Sequence, residues 1–333
     1  MLQGIGITDP RKSTRCLAAS EDLIRRLECK YTDSQYEVSS LAFHKRGKIL
    51  ALAGDEGYIS LWALDHFPPK LMSEICVDEI SIKKVDFVTG TDNQLVVLYD
   101  PGKLMKFHFN ESGDPTIIDL NLDFGDEDED LEMFAPTQEH CLIACSPSSI
   151  FQVDTRDPHV QVIKKTQHYI TELAVHDNLV AVATVDSYAR IYDTRMTRSP
   201  FTKLRPDVIG DSDTVETLKF SVHGELLVSF YHKDMYLFYK DDHYSSGQMV
   251  SYLMQRMNLQ PSSICFYGPN CDYVCRLWDS GEINFWRKGE SEPIAEVVSK
   301  SGFNSLVCHP FLPMLAGFSD KSTELMTCAP QYW

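Results

Sequence analysis

The chain contains no apolar run long enough to span a bilayer, no C-x-x-C pair among its ten cysteines and no long Gly/Ser-rich or Pro-rich linker. A membrane-spanning helix needs about 20 consecutive apolar residues, so none is expected. Without paired spacing, the cysteines read as small buried side chains of a reducing compartment, and neither a metal nor a cofactor is expected. The opening MLQGIGITDPRK lacks the apolar core of a signal peptide, which points to the cytoplasm or nucleus. Positive charge is the scarcer sign: 31 Lys and Arg against 48 Asp and Glu give a net charge of -17. A phosphate-backbone binder needs a basic face, so direct nucleic-acid binding is not expected. G-x-S-x-G, H-E-x-x-H and P-loop patterns are also missing, and the chain does not read as an enzyme.

What the chain does contain is one grammar used repeatedly. Residues 169–195, YITELAVHDNLVAVATVDSYARIYDTR, hold three short apolar runs separated by His-Asp-Asn and Val-Asp-Ser. Runs of four to seven residues rich in Val, Ile, Thr and Tyr between turn formers suit antiparallel strands. Similar segments begin near Val38, Ile82, Glu132, Ile170, Val215, Ser262 and Asn304, at intervals of about 38 to 50 residues. A period near 40 to 45 with four strands per unit is the signature of a β-propeller. The expected fold is therefore all-β, a seven-bladed propeller over residues 21–333, with residues 1–20 an irregular N-terminal segment. Residues 20–28 admit two readings: a helix capped by Ser20, or a strand that completes the last sheet and closes the ring. Closure favours the strand, because it leaves no open sheet edge.

Four features stand out against this repeat. Trp62 ends a third strand, where an aromatic packs between blades. His44, His223 and His309 fall in turns after first strands, where hydrogen bonding of the turn is the expected role. The run Asp123 to Asp130 is too dense in like charge for a core. It is either a solvated loop or, through Asp126, Glu127, Asp128, Glu129 and Asp130, a docking stretch for a basic peptide. Finally, two units end alike, in Val153-Asp154-Thr155-Arg156 and Tyr192-Asp193-Thr194-Arg195. Turns after third strands share one face of a propeller, which puts the two arginines together one blade apart. Each can pair with its own Asp and stiffen its turn, or present a bidentate guanidinium to a partner.

These Asp-x-Arg endings resemble the WDxR motif, or DWD box, of WD-repeat substrate receptors of cullin 4 ubiquitin ligases. The ordered segments Ala189 to Met196, His223 to Ser229 with Met235 to Phe238, Phe266 to Asn270 with Gly281 to Trp286, and His309 to Ala316 resemble the cullin-4-associated factors of the eighth-member type. Two departures stand in this chain: Val153 and Tyr192 occupy the Trp position of the motif. The resemblance implies a WD-repeat propeller without catalytic residues that holds a target protein, of unknown identity, for ubiquitin transfer by other subunits. It assigns the contact with the cullin 4 ligase adaptor to Arg156 and Arg195, supported by Asp154, Asp193 and Tyr192. A scaffold subunit of another multiprotein assembly, with no ligase adaptor, is the alternative.

Overall fold

The structure, a computed structural model, describes residues 19–33, 37–65, 68–77, 80–110, 113–124, 130–138, 140–196, 199–240, 244, 249–252, 261–299, 302–319 and 322–327. Seven four-stranded antiparallel sheets follow one another around a ring. Blade 1 comprises β2 (Val38–Phe43), β3 (Ile49–Gly54), β4 (Tyr58–Ala63) and β5 (Lys70–Cys76). Blade 2 comprises β6 (Ile82–Phe87), β7 (Gln94–Tyr99), β8 (Lys103–Asn110) and β9 (Gly113–Asp119). In blade 3 the strands are β10 (Met133–Pro136), β11 (Cys141–Cys145), β12 (Ser149–Asp154) and β13 (Val160–Lys165). Blade 4 holds β14 (Ile170–His176), β15 (Leu179–Thr184), β16 (Ala189–Asp193) and β17 (Thr202–Leu204). Blade 5 follows with β18 (Val215–Phe220), β19 (Leu226–Phe230), β20 (Met235–Phe238) and β21 (Met249–Tyr252). Blade 6 is β22 (Pro261–Tyr267), β23 (Tyr273–Trp278), β24 (Glu282–Arg287) and β25 (Pro293–Val298). Blade 7 joins β26 (Ser305–Cys308), β27 (Met314–Ser319) and β28 (Ser322–Thr327) to β1 (Glu28–Asp33), which comes from the other end of the chain.

The sequence pattern of each strand follows from where it sits. Second strands such as β15, LVAVAT, lie between two neighbouring blades and are buried on both faces, so they read as continuous apolar runs. Outer strands such as β5 and β13 face solvent, β5 exposed at most of its positions and β13 at half of them. Every gap between neighbouring blades is filled by its own apolar cluster, including the gap between blades 7 and 1. Trp62 lies in that last cluster, as expected of it, with its indole N–H donated to the Ser60 hydroxyl at 2.9 Å. The inner strands of blades 1, 2, 4, 5 and 6 each carry a register shift after their first residue. A bulge repeated at that point adds the local twist that splays a blade outward from the channel.

Ring closure uses the N-terminal segment as expected, but not at the expected residues. Residues 21–24 form a single helical turn, α1 (Glu21–Ile24), with the Ser20 hydroxyl accepting the Leu23 amide at 3.3 Å. The closing strand is β1, which pairs antiparallel with β28 from Glu28 opposite Thr327 to Asp33 opposite Thr323. Both readings of residues 20–28 thus hold in part: the cap makes the turn, and the strand begins where the turn ends. Ile24 and Leu27 bury themselves between blades 6 and 7, whereas Tyr31 of β1 packs into the gap between blades 7 and 1. The segment expected to be irregular, residues 1–20, falls almost wholly outside the described residues.

Candidate functional site

Because each blade is antiparallel, the turns after first and third strands lie on one face of the ring and those after second strands on the other. On the first face the turns are sewn together by side chains that cross from one blade to the next. His44 bonds the Thr91 carbonyl at 3.2 Å, His223 the Asn270 carbonyl at 3.2 Å and His309 the Gly47 carbonyl at 2.8 Å. The other ring nitrogen of His309 accepts the amides of Phe311 and Leu312, at 3.0 and 2.8 Å. Burial pushes the His309 imidazole down to about 4, so it is neutral at physiological pH and fit to accept. Gly47 leaves room for it: a Cβ there would stand 2.3 Å from the ring. His176 presses in the same way against Gly224 of blade 5, a position the sequence reading did not single out. These histidines fix the face.

On that rigid face stand the two Asp-x-Arg turns, after β12 and β16, and they are built alike. The Thr155 amide donates to the His140 carbonyl and the Thr194 amide to the Asn178 carbonyl, each at 2.8 Å, hanging both turns on the neighbouring first-to-second strand turn. Asp154 accepts the Arg156 amide at 3.0 Å, its Nε at 2.9 Å and its Nη2 at 2.7 Å. Asp193 repeats the arrangement with Arg195 at 2.9, 2.9 and 2.6 Å. These bidentate bonds hold both carboxyls below the usual carboxylate range. The internal pairing therefore exists, and yet it does not hide the arginines, whose side chains remain 61% and 69% exposed. Pairing and presentation are the same arrangement: the carboxylate freezes the guanidinium plane, and the exposed edge faces outward at small entropic cost.

Around the pair the surface is partly apolar. Met196, 70% exposed, follows Arg195 directly, and Val222 in the next blade's first turn is also exposed. Gln138 of blade 3 reaches Asn178 of blade 4 at 3.4 Å, tying the two blades beneath the arginines. Lys106 of blade 2 donates to the Thr155 carbonyl at 2.9 Å. Tyr192 is placed differently from the arginines. It is only 3% exposed and packs among Ile143, Cys145 and Val182, so it supports the turn from below.

The acidic run leads from β9 to β10. Asp126 to Glu129 lie outside the described residues, whereas Asp130 is exposed. The adjoining Leu131 amide donates to Gly102 in the β7–β8 turn at 3.0 Å, which brings this end of the run to the face opposite the arginines.

Two charged groupings were not visible in the sequence. Inside the ring, Lys84 on β6 and Asp86 beside it sit within electrostatic reach of Glu172 on β14 and Lys219 on β18. Burial lowers Lys84 and raises Asp86, and Lys84 donates to the Phe134 carbonyl at 2.7 Å. On the far face, Arg190 holds Asp186 and Thr184, while His168 lies 3.4 Å from Asp186. Side chains of this kind occur in catalytic relays, but Thr184 is buried and its hydroxyl donates to Asp186, which fits a turn-locking role.

A WD domain, G-beta repeat family model matches residues 23–63. The match runs from α1 through β4, so one sequence repeat begins in blade 7 and ends in blade 1. That one-strand offset is what ties the ends of the ring together. The fold is a seven-bladed WD-repeat β-propeller. Among solved structures the chain is similar to the β-propeller domain of Cps50 (Swd1) from Myceliophteria thermophila, with a TM-score of 0.72 and 15% identity over 90% of this chain and 99% of that one. It is also similar to Raptor from Chaetomium thermophilum, with a TM-score of 0.75 and 12% identity over 96% of this chain. The propeller spans 31% of the Raptor chain. At these identities the likeness establishes the architecture alone. Among the described residues, no helix is long and apolar enough to cross a membrane.

Proposed function

We propose that this propeller is a non-catalytic interaction module, a substrate receptor that docks onto the adaptor of cullin 4 ubiquitin ligases through Arg156 and Arg195. The reading rests on one observation: two Asp-x-Arg turns of the same construction stand one blade apart on one face, each with a frozen and exposed guanidinium. Arginine is enriched among interface hot spots because its rigid fork engages carboxylates and carbonyls with little ordering cost. Met196 and Val222 supply the apolar contact that surrounds such anchors. Residues 21–333 act as one domain in this reading, and the acidic run ending at the exposed Asp130 is complementary in charge to a basic segment of the target.

The test is co-purification of the adaptor with the Arg156→Ala, Arg195→Ala double variant. Exposed ion pairs add little to stability, so the variant is expected to melt almost where the parent does. Adaptor affinity is expected to fall on the order of a hundredfold, as for the loss of two anchors. A folded double variant that retains the adaptor overturns the assigned role. A stable stoichiometric complex with other proteins that excludes the adaptor favours a scaffold in a different assembly.

A further inference from the structure

Cys265, Cys275 and Cys308 bring their three Sγ atoms within 4.8 Å of one another. Their positions in the chain, ten and thirty-three residues apart, conceal this completely. Cys265 stands directly opposite Cys275 in the β22–β23 pair, so both side chains leave the same face of blade 6. Cys308 comes from β26, the inner strand of blade 7, which runs next to β22. On β26 it shares a side with Leu306, two residues earlier, and both face blade 6. The Cys265 and Cys275 sulfurs face each other at 2.9 Å.

The surroundings are those of a closed soft-ligand site. Tyr267, Leu277, Phe285 and Leu306 belong to the same apolar cluster. Cys265 and Cys275 are buried, and Cys308 is partly exposed, which leaves an ion a way in. Burial disfavours a thiolate here, but the thiols of Cys275 and Cys308 both donate to Cys265 and outweigh it, with Lys219 adding to the effect. Burial raises the thiols of Cys275 and Cys308.

We propose that Cys265, Cys275 and Cys308 form a three-sulfur binding site for the soft d10 ion Cu(I), clamping blade 6 to blade 7. Thiolate sulfur selects Cu(I), zinc or iron–sulfur clusters over harder ions. Structural zinc takes four protein ligands, and among the described residues no other Cys, His, Asp or Glu joins this group. Cu(I) is satisfied by three. Binding forms three Cu–S bonds to thiolate sulfur, breaks the three S–H bonds and releases those protons to solvent. Copper stays at +1, no electron moves, and the loaded site carries two negative charges, which nearby Lys219 partly offsets.

The experiment loads the full chain with Cu(I) under anaerobic conditions in competition with a chromogenic Cu(I) chelator. The parent is expected to hold one copper against the chelator, to show three sulfur neighbours by X-ray absorption, and to melt at a higher temperature than the metal-free chain. Cys275→Ser is expected to weaken retention at least about tenfold, since softness of the ligand set governs the affinity. The Cys76→Ser control, altering an exposed thiol on β5, is expected to keep it. Cys308→Ser, changing the partly exposed ligand, covers the case in which the buried variant does not fold. Retention of copper by folded Cys308→Ser equal to the parent, a two-sulfur site in the parent, or a preference for Zn(II) over Cu(I) each overturns the proposal.

Discussion

Deleting residues 1–33 is expected to abolish cooperative unfolding and to leave a chain that aggregates. The deletion removes β1, and with it every β1–β28 pairing from Glu28 opposite Thr327 to Asp33 opposite Thr323. It also strips Ile24 and Leu27 from the cluster between blades 6 and 7, and Tyr31 from its edge-on packing against Trp62 at 5.8 Å. Burial of an aliphatic side chain contributes about 1.5–3 kcal/mol, and an edge-to-face aromatic pair about 1 kcal/mol. Together these losses reach roughly 5 kcal/mol, the scale of the whole stability of many domains. The exposed β28 would then be an unprotected edge of the kind that recruits other chains. A peptide spanning residues 19–37, added to the truncated protein, is expected to restore a single sharp transition by strand addition. If the truncated chain unfolds in urea at the parent's midpoint, the ring is not held shut by this strand.

Glu216→Gln is expected to stabilise the protein above neutral pH. Glu216 on β18 is largely buried, and its partner Arg276 on β23 is only 1% exposed. They are 3.9 Å apart, so they attract without a short hydrogen bond. Arg276 is further held by the Lys233 carbonyl at 3.0 Å and lies 4.7 Å from the centre of the Trp278 ring. Burial pushes the Glu216 carboxyl up to about 7, against the pull of Arg276 and the hydroxyl of Ser229. Burial likewise brings Arg276 down to about 10. Both charges resist ionisation there, as expected of a buried pair whose attraction only partly offsets desolvation. Because the folded value lies above the ordinary 4.5, the folded state holds this proton more tightly than the unfolded chain. The group's contribution is fully present below pH 4.5 and is lost as pH rises through 7, a change of about 3 kcal/mol. Glutamine cannot ionise and still accepts the Ser229 bond. The stability difference between variant and parent should therefore grow between pH 5 and pH 8 in urea titrations. A difference that stays constant over that range would rule out this titration.

Much of the architecture could be read from residue order, for a physical reason that particular strands make plain. β15 is buried on both faces and must be apolar throughout, whereas β13 meets water and need not be. Any chain that repeats this contrast seven times with turn formers between must stack its sheets side by side, because no single sheet can cover its own two faces. The Asp-x-Arg turns were equally legible, since an Asp two residues before an Arg can bond both its amide and its guanidinium whatever lies around it. The closing strand was legible in kind but not in place. A Ser20 cap is a local signal, whereas β1 earns its position only by meeting β28 three hundred residues away.

The cysteine group and the Glu216–Arg276 couple belong to the other category. Nothing in residues 261–308 marks Cys265, Cys275 and Cys308 as a set, because register across β22–β23 and the abutment of β26 on β22 bring them together. Glu216 likewise meets Arg276 only through the packing of blade 5 on blade 6. By itself the sequence determined the repeat, the number of blades and the two presented turns, all of which depend on contacts within a few dozen residues. Tertiary structure alone decided which thiols meet, which charges are buried and where the ring closes, since those depend on distances between segments that the chain order leaves free.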